Sequence, residues 1–401
     1  MKTGRFLYLL LLVLPMLLTA CQDEENTSCT VSIQLIAPAD CPALTFDDLL
    51  VTLTSKNGQA TSYTARCNAI GLSVFNVEYG EYSAAVHYQM PSGAILNGRI
   101  ESVLLDPRKE NESQAIPLLL SHAKTNALII KEIYYGGCLD KEGEWYMGDQ
   151  YVTLYNNSAE TLYLDGLCLA VVNPGTNFNP SPWIEENPNM KLIPVHDFTW
   201  QFPGKGNEHP LLPGTSTTIA ANAVDHTSGE YGHPGAINLS KVDWAFWNET
   251  FKKQAIPSLG VTSLNLLLRT NPYGNKYNLP TVGPAFMVFS LQAPEGAEAY
   301  VTNESNRKPQ PGANIQNLKY LMVPREWILD CVDCVESKEQ VPNYRVPVEL
   351  NSVPAYMPMG SFKGYSLIRK QATTVNGRIV YQDTNNSAED LTTIPASLKN
   401  Q

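Results

Sequence analysis

The stretch Leu128-Ile129-Ile130-Lys131-Glu132-Ile133-Tyr134-Tyr135 decides the fold class. Isoleucine and tyrosine favour the pleated backbone, and no glycine or proline interrupts the run, so it reads as a strand. The next such segment, Asp149-Gln150-Tyr151-Val152-Thr153-Leu154-Tyr155, closes on Asn156-Asn157-Ser158, whose short polar side chains favour a turn. Leu162-Tyr163-Leu164-Asp165-Gly166-Leu167-Cys168-Leu169-Ala170 is a third. Three strands in succession, divided by turn formers, predict a β-rich body.

Toward the N-terminus the pattern is simpler. Val31, Ile33 and Leu35 alternate with Ser32 and Gln34, as a half-buried strand requires. Leu49–Thr54 and Ala60–Thr64 flank Asn57-Gly58, the pair that suits a type I′ hairpin because both turn residues need positive φ. Asn97-Gly98, between Ala94-Ile95-Leu96 and Arg99–Val103, predicts a second hairpin. Leu72–Val77 and the alternation Ala84, Val86, Tyr88 add further strands. The expectation is a small β-sandwich over 30–122, a polar break at Ser121-His122-Ala123-Lys124-Thr125, and a larger sandwich over 126–401. In the larger part Pro, Gly and Asn crowd 173–189, 203–214 and 271–284, so long loops are expected. Leu264–Arg269 and Ala285–Phe289 read as buried strands, Trp244-Ala245-Phe246-Trp247 as a short helix or turn, and Pro324-Arg325-Glu326 as the opening of a helical turn ending near Asp333. Asn376-Gly377 predicts a last hairpin between Ala372–Val375 and Arg378–Tyr381.

Several of these pieces resemble known families. Val77-Glu78-Tyr79-Gly80-Glu81-Tyr82 resembles the corner of carboxypeptidase-regulatory-like and transthyretin-like sandwiches, which implies an Ig/transthyretin-like fold for the first sandwich. Ile130–Tyr135, Gln150–Asn157 and Tyr163–Leu167 resemble, in order, the lamin-tail-like Ig domain, with Thr153 where that family usually has glutamate. Leu211-Leu212-Pro213-Gly214, running to Ile219-Ala220, resembles a further strand of it. Tyr365-Ser366-Leu367-Ile368-Arg369 and Asp383-Thr384-Asn385-Asn386-Ser387-Ala388-Glu389-Asp390 resemble its closing pattern. The whole is similar to a family of unknown function among Bacteroidetes-type surface lipoproteins, over roughly residues 126–395. The resemblance implies a lamin-tail-like β-sandwich in which 221–360 are insertions, and it implies no activity.

The N-terminus carries an address. Lys2 and Arg5 precede an apolar run from Phe6 to Leu18 that is too short to span a bilayer comfortably and ends in small residues, as a secretion signal does. Leu18-Thr19-Ala20-Cys21 resembles the lipobox of bacterial lipoproteins. That implies a signal peptide over 1–20, palmitate-type acylation of Cys21, and a flexible tether over 21–29. Gln22-Asp23-Glu24-Glu25 resembles a surface-export tag, which implies the outer membrane and the cell surface. The chain has 401 residues and a formal net charge of −11, and losing Lys2 and Arg5 makes it two units more negative. That balance argues against nucleic acid and against docking on anionic lipid heads, so acyl chains alone would hold the protein to the membrane.

Seven cysteines follow Cys21. In an oxidising compartment Cys138 with Cys168, and two of Cys29, Cys41 and Cys67, are candidate bridges, and the odd count leaves at least one thiol free or paired outside the chain. Cys331-Val332-Asp333-Cys334 has redox-motif spacing, but no thioredoxin-like βαβ pattern surrounds it, and a local bridge or two buried thiols is the plainer reading. Among His196, His209, His226 and His233, the pair His226 and His233, near Asp225 and Glu230, is the candidate metal site, set against solvent-facing loop histidines. Asp140, Glu142 and Glu144 around Trp145 suggest calcium, although the EF-hand register is absent and a solvated turn explains them as well. Trp183, Trp200, Trp244 and Trp247, with Tyr134 and Tyr135, are candidate stacking platforms for a ligand, set against service in the core. Gly-x-Ser-x-Gly, the Walker A loop and His-Glu-x-x-His are absent, so no catalytic residue and no cofactor is assigned. The expectation is a non-enzymatic, surface-anchored lipoprotein that binds a small molecule or glycan, or serves an outer-membrane, TonB-dependent uptake partner. An extracellular hydrolase or metal-dependent enzyme using loop histidines and carboxylates, and an adhesin or surface structural protein, are the alternatives.

Overall fold

The computed structural model describes residues 28–38, 41, 44–47, 49–56, 61–90, 95–108, 115–122, 126–228, 232–314 and 318–398. Cys21, the leader, Asn57-Gly58 and Glu230 lie outside the described residues. The fold is mainly β: two sandwiches follow one another along the chain.

The first sandwich follows from alternation. Ser28–Ile36 pairs antiparallel with Leu72–Glu78 and parallel with Ile116–Leu119. The facing sheet runs, in space, Ser62–Arg66, Leu50–Ser55, Gly80–Gln89, Ile95–Leu105, Ser121–His122. Val31, Ile33, Leu35, Val51, Leu53, Phe75 and Val86 fill the space between, while their polar neighbours face water. The tether expected over 21–29 is shorter at its end, because Ser28 already pairs with Glu78 and Cys29 is buried. Tyr82 is buried, and its hydroxyl donates to the Glu78 carbonyl at 2.8 Å, an Ig-type tyrosine corner. Asn97-Gly98 is no turn: it lies inside the Ile95–Leu105 strand, opposite His87 and Val86. Glycine serves close approach there, since a Cβ at 98 would lie 2.2 Å from a Leu118 methyl.

The second sandwich has two larger sheets. The first runs Thr262–Ser263, Trp244–Ala245, Ser216–Ala220, Tyr151–Asn156, Leu128–Tyr134, Tyr365–Arg369, Leu391–Pro395. The second runs Arg307–Pro309, Lys319–Pro324, Leu192–Gln201, Leu167–Val172, Ala285–Ser290, Ile328–Val335, Ala355–Tyr356, with Asn265–Arg269 also on Leu192–Gln201. Residues 221–360 are therefore not mere insertions, since Ala285–Ser290 and Ile328–Val335 are inner strands of the second sheet. The run Trp244–Trp247 supplies a two-residue strand, Trp244–Ala245, between Ser216–Ala220 and Thr262–Ser263 rather than a helix, and the helical turn at 325 is three residues of 3₁₀ followed by the strand Ile328–Val335. Asn376-Gly377 turns the hairpin as expected, with φ of 51° and 79°.

Both sheets are covered on both faces, so their strands do not alternate buried with exposed. Leu169 and Val171 enter the core between the sheets; Cys168, Ala170 and Val172 enter a second core under the helices Pro182–Glu186 and Ala297–Thr302. Period two divides Ile328–Val335 likewise: Val332 and Cys334 face the inter-sheet core, and Cys331 the outer one. Cys331 and Cys334 thus point to opposite faces and cannot bridge. Among the described residues all seven cysteines are free, including Cys138 and Cys168. Burial pushes the thiols of Cys168, Cys331 and Cys334 well above the usual range.

Charges are buried in this sandwich, each with partners. Arg369 binds Asp330 through Nη2 at 2.9 Å and Asp390 through Nη1 at 3.1 Å, lies 3.1 Å from Asp383, and donates to the Ile130 carbonyl at 2.9 Å. Asp390 also accepts from the Thr384 amide and hydroxyl, so the Asp383–Asp390 motif is a turn wound around a carboxylate and clamped by arginine. Arg345 and Asp333, both fully buried, pair at 2.7 Å. Glu132 accepts from Tyr151 and Ser366 hydroxyls at 2.6 Å each. Where the two sandwiches meet, Asn97 donates to the Thr384 carbonyl at 2.8 Å, and the Arg99 guanidinium lies 3.7 Å from the Tyr344 ring centre.

Candidate functional site

Of the residues singled out in the sequence, His226 and His233 meet around Tyr146 of one hairpin, which also carries Cys138. The short hairpin Cys138–Leu139 and Trp145–Tyr146 turns Cys138 and Tyr146 toward the body. His226 is fully buried, and its Nε2 lies 2.8 Å from the Asn222 carbonyl. A carbonyl only accepts, so Nε2 carries the proton, and Nδ1 accepts from the Tyr146 hydroxyl at 2.5 Å. Burial lowers His226 to about 4, which keeps it neutral near pH 7. Both ring nitrogens are thereby engaged. His233 packs against Tyr146 with ring centres 3.9 Å apart and planes tilted by 46°, and its buried Nδ1 has no hydrogen-bond partner among the described residues. The two histidines belong to one cluster through Tyr146, but they do not converge as metal ligands: the single group of three His, Cys, Asp or Glu ligand atoms within 4.8 Å among the described residues is Asp165, Glu208 and His209.

That second group is a loop organiser. Asp165 accepts from the backbone amides of Gly206, Glu208 and His209 at 3.3, 2.9 and 2.9 Å. A Cβ at Gly204, where φ is 118°, would lie 1.9 Å from Asp165 Oδ1, so glycine is required for the loop to wrap the carboxylate. His196 is placed apart, beside Asp197 and Asn173.

Behind the hairpin, Asp149 is buried. Its Oδ2 accepts from Tyr134 at 3.1 Å and from the Ile237 amide at 3.2 Å, while Oδ1 has no hydrogen-bond partner. Burial raises Asp149 to about 6, against the pull of those donors, and pushes the Cys138 thiol up to about 12. A thiol so raised is a poor nucleophile.

The tryptophans divide differently from the reading as platforms. Trp200 is fully buried among Phe246, Phe251 and Tyr277. Trp244 is buried, with its Nε1 donating to Thr217 at 3.0 Å, and Trp247 packs under the first sheet. Tyr134 and Tyr135 are buried as well. Trp200, Trp244, Tyr134 and Tyr135 thus offer no open face, and Trp247 is half-buried. Trp183 differs. It is buried, donating to Asn173 at 2.8 Å, yet it backs an open cleft of about 800 Å³. The cleft lies between the helix Pro182–Glu186 with its Asn187–Leu192 exit and the loop Lys308–Gly312. Met190, Met322, Pro309 and Pro311 supply apolar wall; Asn189, Gln310, Lys191 and Lys308 supply polar groups. Among the described residues Lys191 and Lys308 show no ion-pair partner, and Glu186 is the one carboxylate in the lining. Sequence reasoning missed both lysines, because the strand pairing of Leu192–Pro194 with Met322–Pro324 and of Arg307–Pro309 with Lys319–Leu321 is what brings them to one cleft.

With the geometry in hand, comparison with known proteins adds one relationship. Residues 212–396 match a family of unknown function, DUF4876. The DUF4876 match takes in Lys308, the histidine pair and the Arg369 clamp, and begins downstream of Trp183. The chain is also similar, at 25% identity and a TM-score of 0.58, to the crystal structure of a DUF4876 family protein from Bacteroides thetaiotaomicron. That similarity covers 90% of this chain and 94% of the other. No curated protein matches.

Proposed function

We propose that the chain is a surface lipoprotein, anchored in the outer membrane through Cys21, that binds a carboxylate-bearing small molecule or glycan without transforming it and serves an uptake partner in that membrane. The cleft at Trp183 carries the reading. Its size suits a ligand of several rings, its walls mix apolar and amide groups, and two lysines that have no carboxylate partner among the described residues line it in a chain of net charge −11. The enzymatic alternative draws less support. The neutral His226 is spent on Tyr146 and Asn222, and the raised Cys138 thiol faces inward.

The test uses intact cells and a fluorescent oligogalacturonide as probe. Cells carrying the wild-type chain capture the probe. Cys21→Ser moves both protein and capture to the medium, and Lys191→Glu with Lys308→Glu abolishes capture while leaving the protein on the cell. Persistent membrane attachment of the Cys21→Ser protein contradicts the anchor. Undiminished capture by the double charge reversal contradicts the cleft.

A further inference from the structure

The hairpin that holds Tyr146 inward presents a different residue outward. Trp145 pairs with Leu139 across the hairpin and shares its outer face. It is 74% exposed, far more than the tryptophans of the core. Its indole lies flat on the Phe362 ring, with centres 4.9 Å apart and planes within 3°.

This display is built rather than incidental. Phe362 has a φ of 60°, in the left-handed region that a bulky side chain rarely enters, between Gly360 at 72° and Gly364 at 69°. The loop is locked in that form: the amides of Phe362 and Gly364 donate to the carbonyls of Gly136 and Gly137 at 2.9 and 3.0 Å, and Ser361 donates to the Thr281 carbonyl. Gly137 must be glycine, since a Cβ there would lie 2.2 Å from the Tyr146 carbonyl. On the other side Tyr146 is pinned by His226 and His233. The histidines read as metal ligands therefore brace the hairpin, and strained backbone seats a phenylalanine beneath a solvent-facing indole. Backbone strain of this kind is found where a ligand is met.

We propose that Trp145, buttressed by Phe362, is a stacking platform for a neutral pyranose ring at the end of a glycan. One rigid indole face matches the area of one sugar ring, whose C–H groups carry the partial positive charge that a π face attracts. The exposed carboxylates of Glu142 and Glu144, in the hairpin loop, supply acceptors for ring hydroxyls. The loop Asp140–Glu144 bears three carboxylates and one lysine, which disfavours an anion. A cation is the weaker fit, because Glu142 lies 3.8 Å from Lys141 and Asp140 Oδ1 is already taken by the amides of Glu142 and Glu144. The site is separate from the Trp183 cleft, so either can fail alone.

The test is an immobilised array of neutral oligosaccharides probed with the full chain. Wild type retains a neutral glycan, and Trp145→Ala weakens it about tenfold with an unchanged circular dichroism spectrum, as loss of one stacking contact predicts. Phe362→Gly weakens it several-fold, because the indole loses its buttress. Lys191→Glu with Lys308→Glu leaves it unchanged. Equal retention by Trp145→Ala, no neutral glycan retained by wild type, or displacement by choline in preference to glucose would each overturn the proposal.

Discussion

The two sandwiches solve the same problem differently. In the first, strands such as Ser28–Ile36, Leu50–Ser55 and Leu72–Glu78 have one dry face and one wetter face, and the core is assembled from alternate aliphatic residues such as Val31, Ile33, Val51 and Leu53. In the second, all seven residues of Leu128–Tyr134 and all six of Tyr151–Asn156 are buried, and polar groups lie within the layers. Lys131, Glu132, Thr153, Arg345 and Arg369 have lost their water and are held by partners instead. Burial on both faces needs cover, and the long connections supply it. One of them leaves the Trp183 cleft and another the Trp145 hairpin. Both proposed binding surfaces lie on the braced sandwich, and neither on the simple one.

The largest effect that separates the two regions is removal of the Arg369 guanidinium. Arg369→Met leaves Asp330, Asp383 and Asp390 buried around no cation, and breaking a buried ion pair in this way costs about 3–5 kcal/mol. Denaturant unfolding reads this as a lowered midpoint. A change under 1 kcal/mol would mean that the clamp does not brace the sandwich.

The next effect is in pH. Asp149 is raised by burial from 3.8 to about 6, so its contribution to stability is whole below pH 3.8 and is lost as pH rises through about 6, on the order of 3 kcal/mol in total. His226 runs the other way: lowered from 6.5 to about 4, it contributes stability that is whole above pH 6.5 and is lost as pH falls through about 4. In the wild type the two oppose one another between pH 4 and 6. Asp149→Asn removes one of them, so the variant gains on wild type by about 2–3 kcal/mol as pH rises across that window. Parallel stability curves for the two proteins would refute the burial account of Asp149.

In the plain sandwich, Ile33→Val deletes one methylene from an apolar core and costs about 1 kcal/mol. A loss as large as that of Arg369→Met would erase the contrast between the regions. The smallest effect is at the display loop. Phe362→Gly relieves left-handed strain of about 1–2 kcal/mol and gives up an exposed stack, so the protein is stabilised by about 1 kcal/mol or less in thermal unfolding. A clear loss of stability would mean that the phenylalanine serves the fold rather than the indole above it.

The same contrast explains what the sequence discloses. Period-two alternation made the strands around Val31 and Val86 legible, and the Asn376-Gly377 turn declared its hairpin through its own φ requirement. Asn97-Gly98 misled because its glycine answers to Leu118 across the sandwich, a contact no local rule encodes. In the second sandwich the strands at Leu264–Arg269 and Ala285–Phe289 were legible as apolar runs, but not that the second sheet is built largely from a region that reads as insertion. The histidines drew notice as ligands by residue type alone, whereas the packing of His226 and His233 about Tyr146 depends on the fold. Trp145 was obscured by the acidic residues beside it, and only the pairing of Leu139 with Trp145 shows which tryptophan faces water.

The central claim is that the braced sandwich binds an acidic ligand in the Trp183 cleft and releases it unchanged. The direct measurement is equilibrium binding of oligogalacturonide to the Cys21→Ser protein, with the recovered ligand weighed by mass spectrometry. The account predicts saturable binding, weakened at least about tenfold by Lys191→Glu with Lys308→Glu, and ligand of unaltered mass. Equal binding by the charge-reversed protein, or recovery of shortened ligand, would contradict it.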